Sequence, residues 1–188
     1  MMSESPFIDF PILTTEHLIL RSITPSDAPA LFRILSNPQG MVHHAHAPYQ
    51  SLDAVQRLIQ YTREYYEEGE GLWWGVQHKN APTLIGMCAF FPFSFGYALA
   101  QLSGEFDADM LGTNLILEAV QSVVDYGFQR LEMHRIEAIT DDTNRRFKDV
   151  LLNLGFQYEA NLRERLHIDG KFYDEHYYGL LKTDWEQQ

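Results

Sequence analysis

Hydrophobic positions change their period several times along this 188-residue chain, and each change marks an element. His17-Leu18-Ile19-Leu20-Arg21-Ser22-Ile23 is a short apolar run rich in strand formers. Thr24-Pro25-Ser26-Asp27 follows with a capping hydroxyl, a proline for the first helical position and an acid for the first turn, so a helix is predicted directly after that strand. Ala28, Leu31, Phe32 and Leu35 keep helical spacing until Asn37-Pro38, because proline drives the residue before it out of the α region. A second helix is predicted from Ser51, with Leu52, Val55, Leu58, Ile59 and Thr62 on one face and Glu68-Gly69-Glu70-Gly71 at its end. Leu72 to His78, Leu84 to Phe91 and Tyr97 to Asp107 then read as three strands of an antiparallel meander, with Lys79-Asn80-Ala81-Pro82 turning the first into the second. From Thr113, the residues Ile116, Ala119, Val120, Val123, Val124 and Phe128 trace a helical face, and Arg135 to Thr140 reads as a strand. Phe147, Val150, Leu151 and Leu154 give one more helix, with Gly155 suited to a left-handed C-terminal cap. Two strands, Gln157 to Arg165 and Tyr173 to Leu181, close the chain around the turn Asp169-Gly170.

The predicted order is β-α-α-β-β-β-α-β-α-β-β: an α+β, mixed α/β fold with helices against a twisted, mostly antiparallel sheet of about seven strands. No repeat, linker or charge block divides residues 1–188, so one domain is expected.

Composition narrows the function. Asp and Glu number 26 against 14 Lys and Arg, a net charge of −12, which argues against a nucleic-acid partner because a phosphate-backbone binder needs a basic face. The single cysteine, Cys88, stands in an apolar run and has no internal partner, which fits a buried thiol in a reducing compartment. The N-terminus lacks the order of a signal peptide and no apolar stretch nears the roughly 18 residues that span a bilayer. A cytoplasmic protein without a membrane partner is expected.

With that element order, three words carry a likeness: Thr15-Glu16-His17-Leu18-Ile19-Leu20-Arg21 at the start, Asn144 ahead of Leu154-Gly155-Phe156, and Asp169-Gly170-Lys171-Phe172-Tyr173-Asp174 near the end. Together they resemble the GNAT superfamily of N-acetyltransferases, in its RimJ/RimL-like branch, nearly end to end. The resemblance implies acetyl-CoA as co-substrate and an amine-bearing small molecule or a protein N-terminus as acceptor, with direct attack of the amine on the thioester. It also implies that acyl-CoA lies where two central strands part, its pyrophosphate on the N-terminus of the next helix, where N–H groups and the helix dipole attract anions. Carried onto this chain, the cofactor-binding residues are Phe106, Asp107, Leu111, Gly112, Thr113, Asn114, Asn144 and Phe147, and a backbone N–H near Phe106 would polarise the thioester carbonyl.

The chain departs from the family pattern at several of these positions. Of the loop glycines only Gly112 is kept, Asp109 replaces a neutral or basic side chain, and Asn114 stands where the family has Gly or Ala. Phe147 occupies the place of a serine thought to protonate the departing thiolate, and its spacing also fits an ordinary apolar face. Gln101 stands where relatives often carry Glu, and an amide cannot act as a base. Glu105 shares that strand face about 13 Å further along, at roughly 3.3 Å per residue, and is the candidate catalytic carboxylate, the competing account being a solvated or salt-bridged side chain. The alternative to an acetyltransferase is a GNAT-fold binding protein that has lost acetyl-CoA chemistry.

Further candidates surround this set. The resemblance implies that the segment with His43, His44 and His46 borders the acceptor groove as a substrate-facing loop; three His could also hold a metal, but no carboxylate or Cys stands nearby in the sequence. Gln101, Ser103 and Trp74 complete the expected substrate-binding set, Trp74 with Tyr61, Tyr65, Tyr66 and Trp73 as pocket aromatics or, alternatively, as core. Phe90-Phe91-Pro92-Phe93-Ser94-Phe95 would, if exposed, mark a homodimer contact; burial at the sheet edge is the other account.

Overall fold

The computed structural model describes residues 9–39, 41, 43, 47–110, 113–168 and 170–187, with the backbone alone for Phe93. In chain order the strands are β1 (Leu13–Thr14), β2 (Leu18–Ser22), β3 (Leu72–His78), β4 (Leu84–Ser94), β5 (Leu99–Phe106), β6 (Arg135–Asp141), β7 (Gln157–Ile168) and β8 (Lys171–Leu181). The helices are α1 (Ala28–Leu35), α2 (Leu52–Glu68), α3 (Asn114–Gln129), α4 (Arg145–Asn153) and α5 (Lys182–Trp185). Every predicted element is present. β1 is additional, two residues being too few to show alternation, and β4 and β7 run further than their apolar residues suggested. None of the described helices is long and apolar enough to cross a membrane.

One eight-stranded sheet carries the fold, in the order β1-β2-β3-β4-β5-β6-β8-β7, and β5–β6 is its parallel pair. Because side chains alternate across a sheet, neighbours in sequence enter different cores. Trp74, Cys88, Phe90, Ala100, Leu102, Ile136 and Ala138 meet Val120, Val123, Val124 and Phe128 of α3 and Leu151 of α4 on one face. Leu84 and Met87 meet Leu31 and Leu35 of α1 and Val55 and Ile59 of α2 on the other.

Two expectations change here. Trp74 is fully buried, its indole N–H donates to the Pro11 carbonyl at 2.9 Å, and Phe10, Phe90 and Tyr126 surround its ring, so it is a core residue rather than a pocket wall. The phenylalanine run is not one exposed cluster either: Phe90 lies in the core and Phe91 packs at 4.8 Å on both Trp73 and Tyr65. Phe95, 46% exposed, is the run's solvent-facing ring among the described side chains.

Helix α3 is tied to the start of the chain through Glu118. Its carboxylate accepts from the Thr15 hydroxyl and from the His17 N–H at 2.8 Å, with His17 Nδ1 2.9 Å from the second oxygen. Burial alone would raise the Glu118 pKa, but the donors from Thr15 and His17 bring it down to about 2. A depressed pKa stabilises the fold above the ordinary carboxylate range, and that stability is lost as pH falls toward 2. Glu118→Gln is therefore expected to lower stability by about 1–2 kcal/mol at pH 7, the position being partly open to solvent screening, and by almost nothing near pH 2. Urea midpoints at the two pH values check this.

Candidate active site

The parallel pair β5–β6 is only half formed. Leu99, Ala100, Gln101 and Leu102 face Arg135, Ile136, Glu137 and Ala138, and then the ladder stops. β5 continues through Ser103–Phe106 and β6 through Ile139–Asp141, each still held on its outer edge: Phe106 opposite Gly86 of β4, Asp141 opposite Glu175 of β8. The strands therefore fork without fraying, and main-chain groups on the inner edges face the gap instead of each other. Asp107 N–H donates back to the Ile85 carbonyl of β4 at 2.9 Å, so strand alternation turns the N–H groups of Gly104 and Phe106 toward the fork. Gly86 makes room for this wall: a Cβ there would sit 2.4 Å from the Phe106 ring.

A cleft of about 710 Å³ occupies the fork, walled by β5, β6 and the first turns of α3 and α4. Ser103, Glu105, Phe106, Thr113, Asn114, Asn144, Phe147 and His43 all line it. Among the described lining residues Gln101 is missing, since it lies within the closed part of the fork opposite Glu137. Leu111, Gly112, His44 and His46 lie outside the described residues.

Thr113 is the residue ahead of α3, and its hydroxyl donates to the Met110 carbonyl at 2.8 Å instead of capping the helix. The first turn of α3 contains no acid, so its N–H groups and positive dipole end keep their pull on an anion. Asp107 is not a cleft wall among these residues. It is buried, pairs with Arg33 of α1, and accepts from the Asp109 N–H at 3.3 Å, which fixes the loop ahead of α3. Asp109 is exposed and is likewise not a described wall residue, which weakens the repulsion of a bound diphosphate that its charge suggests.

Asn144 caps α4, its Oδ1 accepting from Phe147 N–H at 3.2 Å, so its amide donors are what it can offer a ligand. Phe147 lines the cleft and packs on the core, which accounts for its apolar spacing. Arg145 and Arg146 stand exposed in the first turn of α4, at the cleft rim. Cations at a helix N-terminus oppose its dipole, so a function is implied where helix stability argues against them. That double arginine, in a chain with only 14 Lys and Arg side chains, is a signal legible in the sequence that no family motif contains.

Glu105 projects from β5 into the cleft with Oε2 closed off from solvent. Burial pushes its pKa up to about 7, which suits a group that takes and releases a proton near neutrality. His43 reaches the cleft from the segment between α1 and α2. Its Nδ1 lies 2.8 Å from Oδ2 of Asp141, which is only 2% exposed. Among the described residues no group of three or more His, Cys, Asp or Glu is placed to hold a metal.

Comparison with known proteins agrees with this geometry. Residues 17–157 match the acetyltransferase (GNAT) domain family. The uncharacterized N-acetyltransferase YoaA of Bacillus subtilis is 32% identical over 173 residues, covering 92% of this chain and 98% of YoaA. The [ribosomal protein uS5]-alanine N-acetyltransferase of Escherichia coli is 26% identical over 187 residues, covering 92% of each chain. The crystal structure of spermidine N-acetyltransferase from Vibrio cholerae, solved with CoA and spermine, superposes with a TM-score of 0.80 at 20% identity, over 90% of this chain and 98% of that one. A forked parallel pair, an uncapped helix N-terminus beside it and family agreement over three quarters of the sequence lead to one conclusion: the chain belongs to the GNAT acetyltransferase family, whose acyl donor is acetyl-CoA.

Proposed function

We propose that this chain acetylates a primary amine by direct attack on acetyl-CoA bound in the β5–β6 fork. The observation that carries the reading is the fork itself: two rigid arms with inward N–H donors, ending beside the open N-terminus of α3. The residues fit the co-substrate. Thr113, Asn114 and the first turn of α3 would hold the diphosphate, the arms of β5 and β6 the amide-bearing arm of the molecule, and Asn144, Arg145 and Arg146 its remaining polar groups. When bound, acetyl-CoA supplies an acetyl thioester whose sulfur is a good leaving group.

The chain's own work is positioning and proton handling. The N–H of Phe106 is placed to donate to an oxygen that gains negative charge in the fork. Glu105 takes the first proton from the acceptor's ammonium, since only a neutral amine is nucleophilic. Relatives named for a ribosomal-protein alanine and for spermidine support an acceptor that presents one primary amine at the His43 side of the cleft.

Calorimetric titration with acetyl-CoA tests the reading. Binding is expected, and at 100 times the dissociation constant it adds about 2.7 kcal/mol to folded stability. Replacing both Arg145 and Arg146 by Ala is expected to weaken it about 10- to 100-fold, with a shallower salt dependence, because charge-assisted contacts are removed. A wild-type protein that shows no heat and no thermal shift at millimolar acetyl-CoA is instead a GNAT-fold binding protein.

A further inference from the structure

Aminolysis of a thioester moves two protons. One leaves the ammonium before attack; the second leaves the nitrogen as the carbon–nitrogen bond forms, and a proton must reach the sulfur as the carbon–sulfur bond breaks. Glu105 accounts for the first. Phe147, on the α4 wall, accounts for neither.

We propose that His43 is the catalytic residue that moves the second proton, with Asp141 as its positioning residue; this rests on the transferase reading above. Asp141 ends β6, is buried, and accepts from the Thr143 N–H at 2.7 Å and from the Thr143 hydroxyl, as well as facing His43 Nδ1 at 2.8 Å. A carboxylate that accepts from several donors at once is an ionised acceptor, so His43 must carry its hydrogen on Nδ1. Thr143 Oγ1, 3.4 Å from the same nitrogen, leaves that assignment unchanged. Nε2 on the opposite side of the ring then has a lone pair for the cleft that His43 lines. The pairing spans 98 residues and joins the α1–α2 segment to the β6 arm of the fork, which holds the imidazole at the cleft wall.

The step balances within the site. As the amine nitrogen bonds to the acetyl carbon, its proton passes to His43 Nε2. The electron pair of the breaking carbon–sulfur bond stays with sulfur, which takes that proton from Nε2. Amide and thiol are the products, and His43 ends neutral with its Nδ1–H still on Asp141.

Four measurements test this. In ligand-free protein, ¹⁵N NMR should show the His43 signals, assigned by their loss in His43→Gln, in the Nδ1–H tautomer, and Asp141→Asn should change that tautomer. His43→Gln should bind acetyl-CoA within about twofold of wild type. With an alanine-initiated peptide and with spermidine as probe acceptors, the same variant should release CoA about 10²- to 10⁴-fold more slowly. That defect should shrink at least tenfold with 4-nitrophenyl thioacetate, whose thiolate leaves without a proton. An Nε2–H tautomer, an unchanged rate in His43→Gln, or an equal loss with both acyl donors overturns the proposal while acetyl-CoA binding stands. A wild type that fails to bind acetyl-CoA overturns the transferase reading and this step with it. If Asp141→Asn does not fold, His43→Gln carries the test, since the His43 side chain is 29% exposed and not part of either core.

Discussion

Trp74→Ala is expected to destabilise the protein by about 3–5 kcal/mol, the range for emptying a buried large aromatic site. The ring is fully buried among Phe10, Phe90 and Tyr126, and its N–H satisfies the Pro11 carbonyl, so truncation leaves both a void and an acceptor short of its partner. For a chain of this length, that corresponds to a fall of roughly 6–20 °C in Tm. Trp74→Phe separates core from substrate roles. It keeps most of the volume and should bind acetyl-CoA within about twofold of wild type. A loss under 1 kcal/mol in Trp74→Ala, or a selective loss of acceptor binding in Trp74→Phe, would return Trp74 to the cleft.

Glu105→Gln is expected to make the protein more stable and less active at once. Its carboxyl pKa is raised by burial from 4.5 to about 7, so between those values the folded state holds a proton that the unfolded state has released. Stability therefore falls as pH rises through that window, and above it the buried charge weighs against folding in full. Glutamine removes the charge. The variant should match wild type near pH 4.5 and exceed it by about 2–3 kcal/mol at pH 8, read from denaturant midpoints. Acetyl transfer should drop about 10²- to 10⁴-fold, because an amide cannot take the ammonium proton. Gaining stability while losing turnover is the pattern of a residue kept for chemistry. Equal stability at pH 8 would mean that the carboxyl is not buried in the ionised form.

Periodicity made most of the fold readable, because long amphipathic stretches such as Ile116 to Phe128 have one way to meet a sheet. Spacing alone left Trp73 and Trp74 in one aromatic group; the folded sheet sends them to opposite faces, with α3 covering the Trp74 side. In the site, motif positions located Phe106, Thr113, Asn114, Asn144 and Phe147 at one cleft, since each is fixed by its place in a strand or helix end. Asp107 could not be placed that way, because its partner Arg33 is 74 residues distant and only the folded chain joins them. The His43–Asp141 contact was illegible for the same reason. Arg145 and Arg146 were visible in principle, as charges of the wrong sign for a helix start.

The unfinished ladder between β5 and β6 has a practical consequence. Engineers who raise thermostability by completing hydrogen-bond networks would find here an obvious gap to zip up, and closing it would remove the cleft proposed to take acetyl-CoA. Hardening this scaffold has to begin elsewhere, at the outer strand β7 or along the exposed surface of α2.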